Sequence, residues 1–219
     1  MERGHDIAAA IRRLADRDSL ARREAFPIAT KLFSTQRRKD ALKARHGRRT
    51  KHLIRPENAT QIIDALPREA GDELHAVVCG DFVFCDLIAA IAVRFGPALL
   101  EIATLSMSRK NVDALHQLIA AGHLTSLRFV ISHYFRSTSK EIFGALEQKF
   151  SADERVRIAV TRSHCKIALF RFASGQSLTI EGSANLRSSN NYEQLSIFTD
   201  TALHEFYRGW FDDVFALPQ

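Results

Sequence analysis

Residues 161–200 read TRSHCKIALFRFASGQSLTIEGSANLRSSNNYEQLSIFTD, and the reading of this stretch decides the fold. It opens on His164-Cys165-Lys166 and runs into an apolar segment, IALFRF. A polar turn at Ser174-Gly175-Gln176 follows, then a second run, SLTIE, and then Gly182-Ser183-Ala184-Asn185. Two runs of β character joined by a glycine-containing turn predict a hairpin. Side chains alternate faces along a strand, which puts His164 and Lys166 on one side and Cys165 on the other. There Cys165 is expected as a small buried hydrophobe. Ser183 and Asn185 repeat the two-residue spacing where the second run leaves the sheet. An imidazole, a cation and two hydrogen-bonding side chains then converge on one small volume, a set that suits a phosphate ester.

His-x-Lys, a hairpin, Gly-Ser-x-Asn and a Glu shortly after resemble the phospholipase D superfamily signature. The family pattern is HxK, four residues, Asp, about six residues, and GSxN. This chain supplies His164, Lys166, Gly182, Ser183 and Asn185, with Glu193 where the family often has an acidic partner for its histidine. It departs at Arg171, which stands where the Asp is expected, and in a longer spacer to Gly182. Residue 171 is at an odd offset from 164 and 166, so a regular strand turns it to the far face. The layout from about Glu73 to Leu217 also resembles uncharacterised prophage-borne members of that superfamily, which carry a similar GSANLRSS…EQ string. The resemblance implies that His164 attacks phosphorus or protonates the leaving oxygen, and that Lys166 and Asn185 hold the non-bridging oxygens. It implies that Ser183 supports the phosphate and that Glu193 orients His164. No metal or other cofactor is implied. Family sites use two facing half-sites, and this chain has one, so a homodimer is expected.

Working outward, helical and β patterns alternate. A short helix is expected over 58–66, a strand over 74–79, a helix over 84–95 and a strand over 99–105. A helix over 111–121, a strand over 127–132 and a helix over 140–150 follow. Val156–Val160 leads into the hairpin, Leu195–Thr199 is a further strand, and Thr201–Phe215 an amphipathic helix. The pattern predicts an α/β/α sandwich with a mixed central sheet over 57–219, the layout of the phospholipase D fold. Sites in such sheets collect after strand C-termini. Asp81, Ser106, Ser108, Arg109 and His133-Tyr134 fall there, and Arg109 and His133 are the expected extra phosphate donors.

The charge is polarised. Residues 1–60 hold 16 Lys and Arg against 7 Asp and Glu, although the whole chain is only +6. Residues 1–56 therefore read as a basic, partly helical N-terminal extension, with an amphipathic helix over 6–24. Arg37, Arg38, Lys39, Lys43, Arg45, Arg48, Arg49 and Lys51 form a dense run expected to contact phosphates of DNA or RNA. The longest apolar region, Asp86–Leu105, is interrupted by Arg94, Gly96-Pro97 and Glu101, which argues against a membrane span. Three cysteines without a CxxC and no visible secretion signal give a cytoplasmic expectation. His75, His116 and His123 lack ligand-like spacing, so no zinc site is expected.

The leading functional expectation is a metal-independent phosphodiesterase, a nuclease acting on DNA or RNA through a phosphohistidine. The alternative is the same fold with catalysis lost, a nucleic-acid-binding module. Phospholipid hydrolysis, which the superfamily name invites, ranks third because the basic run lacks interleaved aromatics apart from Phe26 and Phe33.

Overall fold

The computed structural model describes residues 43–45, 48–54, 59–78, 83–187 and 191–217, with side chains from residue 61 onward. The chain divides into two units, Met1–Ala41 and Leu42–Gln219, and the described residues belong to the second. The helix expected over 6–24, and Arg37, Arg38, Lys39 and Asp81, lie outside the described residues. The elements are β1 (Lys43–Arg45), β2 (Arg48–Ile54), α1 (Ala59–Ala65), β3 (Glu73–Val78), α2 (Phe84–Phe95) and β4 (Ala98–Thr104). There follow α3 (Arg109–Ala120), β5 (Leu124–Ser132), α4 (His133–Thr138), α5 (Lys140–Phe150) and β6 (Val156–Thr161). The chain closes with β7 (Ile167–Phe172), β8 (Ser177–Gly182), β9 (Glu193–Phe198) and α6 (Thr201–Ala216).

Among the described residues the strands form one mixed sheet in the order β1-β2-β3-β9-β8-β7-β4-β5-β6. β4, β5 and β6 are mutually parallel, and β7, β8 and β9 form an antiparallel meander between β4 and β3. The expected hairpin is β7–β8, paired from Ile167↔Glu181 to Arg171↔Ser177. Its turn is closed by Gly175 at φ 86, a left-handed conformation that favours glycine.

Alternation along the strands builds two layers. Leu100, Ile102, Phe129, Ile131, Ala168 and Phe170 face the large core with buried residues of α2, α3 and α5. Ala103, Val130, Ile167 and Leu169 face the other way, onto Phe211 and Val214 of α6. Truncating a wholly buried ring such as Phe129 or Phe170 to Ala costs about 3–5 kcal/mol. Arg171 continues the α6-facing row, with its guanidinium 3.7 Å from the Glu205 carboxylate. It sits five residues beyond Lys166, roughly 16 Å along the strand, at the end remote from the motif. The departure from the family pattern therefore concerns packing against α6, not the groups gathered around His164.

Two outcomes differ from the sequence expectation. Residues 43–54, assigned by charge to the extension, form the edge of the sheet: β2 runs parallel to β3 from Thr50↔Glu73 to Ile54↔Val77, and β1 pairs antiparallel with β2. Lys43, Arg45, Arg48, Arg49 and Lys51 are thus on sheet strands, within the unit Leu42–Gln219. Edge strands tolerate charge, so charge counting could not separate a solvated arm from an edge. The second is α4, which follows β5 without a turn. It starts because the Ser132 hydroxyl accepts the Phe135 N–H at 3.0 Å while Phe135 is buried in the core.

Candidate functional site

The pairing directions send the C-terminal ends of β3, β4, β5, β6 and β8 to one edge, where β7 and β9 begin. Thr161 pairs with Ser132 on β5, and Ile167 pairs with Ala103 on β4. The segment between them, residues 162–166, must cross the ends of β5 and β4, three strand spacings or about 14 Å. His164 and Lys166 therefore lie on a bridge before β7 and not within the strand. Cys165 on that bridge is exposed, contrary to the expected burial, because it precedes β7 and so takes no part in the alternation of that strand.

Lys166 is buried, 8% exposed, and its ammonium is turned back onto His164. Nζ lies 3.1 Å from His164 Nδ1 and donates to the His164 carbonyl at 3.0 Å. Desolvation pulls the Lys166 pKa below the ordinary lysine value, opposed by the negative charge of Glu193. A charged ammonium has no lone pair and only donates, so this contact calls for a lone pair on Nδ1.

The Gly-Ser-x-Asn segment meets this bridge from β8. The Gly182 N–H donates to the Lys166 carbonyl at 3.2 Å. A Cβ on Gly182 would lie 2.1 Å from the Gln194 carbonyl oxygen, so β9 approaches only because residue 182 is glycine. The Ser183 hydroxyl donates to Glu193 and accepts the Gln194 N–H at 3.0 Å. Ser183 thus clamps β9 and fixes the Glu193 carboxylate. Likewise Glu193 meets Ser183 and acts on Lys166 through its charge, and the bonds of His164 run to Lys166.

Beyond Ser183 the loop is pegged by Ala184 and Leu186, both buried, with the Leu186 carbonyl accepting the Cys85 N–H at 3.2 Å. Between the pegs Asn185 is half-buried, and after them Arg187 is exposed. The Leu105 N–H donates to Asn185 Oδ1 at 3.2 Å, which ties Asn185 to the end of β4. His164, Lys166, Ser183, Asn185 and Glu193 are accordingly gathered at one sheet edge.

The other expected residues spread along the same edge. Arg109 opens α3 after β4 but is paired with Glu141 at 3.1 Å, both well exposed. Ser108 is committed to the α3 cap, bonded reciprocally with Asn111. His133 is exposed at the start of α4. Tyr134, beside His133, is exposed as well, and three further exposed residues on this edge were not singled out in the sequence: Arg162, Arg187 and Tyr192. Arg162 and Arg187 stand two residues outside His164 and Asn185, a flanking symmetry that the sequence does display.

No family model matches the chain, and no curated protein matches it. Among solved structures it is similar to the crystal structure of a phospholipase D family member, Nuc from Salmonella typhimurium. The TM-score is 0.44 and the identity 12%, over 59% of this chain and 85% of that one. A likeness of that size says nothing about activity or substrate. No helix among the described residues is long and apolar enough to cross a membrane.

Proposed function

We propose that the chain is a phosphodiesterase of phospholipase D type acting on nucleic acid, with His164 as the group that attacks phosphorus. The observation that carries the reading is the meeting of the His164–Lys166 pair with Asn185 and the Glu193–Ser183 pair at one edge, although 29 residues of sequence separate His164 from Glu193. An incoming phosphodiester competes for the Lys166 ammonium with a non-bridging oxygen. Moving Nζ off Nδ1 lets the ring proton reside there and exposes the Nε2 lone pair. Nε2 then forms the N–P bond as the P–O bond to the leaving group breaks. A second copy of His164, brought by a homodimer, protonates the departing oxygen, and water later cleaves the N–P bond. Lys166 and the Asn185 amide stabilise the charge that builds on the equatorial oxygens. The basic residues of the first 60 positions raise affinity for the polyanion.

The test is cleavage of single- and double-stranded DNA and RNA with EDTA present, since His and Lys carry the charge. His164→Ala is expected to abolish cleavage, and Asn185→Ala to slow it about 100- to 1,000-fold. Cleavage that survives His164→Ala sinks the reading. A binding module without catalysis is the second reading, favoured by Glu193 being held by Ser183 instead of His164. It predicts salt-dependent binding with no His164-dependent cleavage.

A further inference from the structure

β3 turns Leu74, Ala76 and Val78 into the large core, so Glu73 and His75 stand on the opposite face of the sheet. Both side chains are partly exposed there. Their positions on the strand are about 7 Å apart, yet the side chains lean together: His75 Nε2 is 3.7 Å from Glu73 Oε2. That separation is too long for a hydrogen bond. It is close to the spacing of two ligands on one tetrahedral zinc ion, about 3.4 Å when each stands about 2.1 Å from the metal.

The imidazole is held from behind. Its Nδ1 is 2.9 Å from Ser196 Oγ on β9, the cross-strand partner of His75, and its ring packs edge-on with Phe198 at 5.9 Å between centroids. A hydroxyl accepts as well as donates, and when Nδ1–H is given to Ser196 the lone pair is on Nε2, the nitrogen turned to Glu73. An acceptor placed in this way fixes the tautomer and orientation of metal-binding histidines. The register of the sheet edge adds a third feature. β2 runs parallel to β3 and sets His52 directly beside His75, one strand spacing or about 4.8 Å away. In sequence the two are 23 positions apart, which resembles no ligand spacing, whereas the register makes them neighbours.

We propose that the Glu73–His75 pair, with the register position of His52 beside it, is a site for a divalent transition-metal ion, zinc before the others. Two histidines and one carboxylate are a donor set that suits Zn2+ and leaves a fourth position for water. Mg2+ and Ca2+ prefer oxygen ligands throughout. An ion shared between β2 and β3 clips the outer strands to the body of the sheet. The site is separate from the candidate catalytic edge, since Ser196 is three residues along β9 from Glu193, about 10 Å. It does not rest on the phosphodiesterase reading.

The test is zinc titration of the metal-free full chain by calorimetry, with thermal melts taken alongside. One tight ion per chain is expected, and free zinc at about 100 times Kd is expected to raise Tm by about 5–10 °C, with no shift from Mg2+. His75→Ala, Glu73→Gln and His52→Ala are each expected to remove the tight binding event and the shift. Ser196→Ala, which only releases the ring, is expected to weaken binding about 10- to 100-fold. Should a variant melt early, cobalt(II) added to the folded protein at low temperature decides by its visible absorption. A tetrahedral band is expected in the parent and not in the three ligand variants. No tight zinc in the parent overturns the proposal, as does zinc or cobalt bound equally by Glu73→Gln or His75→Ala protein, a His52→Ala protein that binds like the parent, or an equal shift from Mg2+. Chelation leaves the His164 chemistry untouched, so EDTA-resistant cleavage and zinc-dependent melting are read separately.

Discussion

Adding one methyl group at Gly182 tests how the candidate site is held together. In Gly182→Ala the new Cβ would stand 2.1 Å from the Gln194 carbonyl oxygen and 3.1 Å from a Leu195 methyl carbon. Restoring an ordinary 3.4 Å contact requires β9 to retreat by about 1.3 Å at that point. The bonds that clamp the strand there, Ser183 N–H to the Gln194 carbonyl and Gln194 N–H to Ser183 Oγ, are each 3.0 Å long and would stretch beyond hydrogen-bonding range. Losing two such bonds costs about 1–3 kcal/mol, and residual overpacking adds about 1 kcal/mol. The sum, about 2–4 kcal/mol, lowers Tm by roughly 5–15 °C for a domain of this size. Glu193 moves with β9, and a 1 Å displacement of a positioned group lowers turnover by about 100-fold. Gly144→Ala is the control: it is in α5, nothing lies within 4 Å of its built Cβ, and the change is expected to stabilise by about 1 kcal/mol. Thermal melts and urea midpoints of the full chain give the comparison. A Gly182→Ala protein as stable as its parent would refute the close approach of β8 and β9.

The remaining expectations concern titration and reactivity. His204 is buried against Thr179, and desolvation lowers its pKa from 6.5, so below pH 6.5 the unfolded chain binds a proton that the folded chain resists. Stability is therefore expected to fall as pH drops through that window; His204→Gln should flatten the fall, and an unchanged slope of urea midpoint against pH counts against it. Iodoacetamide at about pH 8 should label exposed Cys165 readily, whereas Cys85, buried and pushed up to about 12, should react only after denaturation. Peptide mapping that finds Cys85 modified in the folded chain contradicts its burial.

Much of the fold was legible because its signals are local. The β7–β8 hairpin follows from two apolar runs and a glycine turn, and the helices 84–95 and 140–150 from apolar periodicity, all of which short windows of sequence contain. The face of residue 171 follows from alternation within β7, but its parity to His164 and Lys166 does not, because those two precede the strand. Strands β1 and β2 were not, because their Lys and Arg fit a solvated arm and a sheet edge equally well, and only pairing with β3 distinguishes them. The candidate site divides the same way. Its residue types were readable as motifs, but Ser183 choosing Glu193, Lys166 folding back on His164, and Cys165 standing exposed depend on which segments meet at the edge. Sequence by itself determined which side chains exist and how they alternate. Strand order decided their company, because a nine-stranded mixed sheet brings Tyr134, His164, Asn185 and Tyr192 to one edge through crossings that no local pattern encodes.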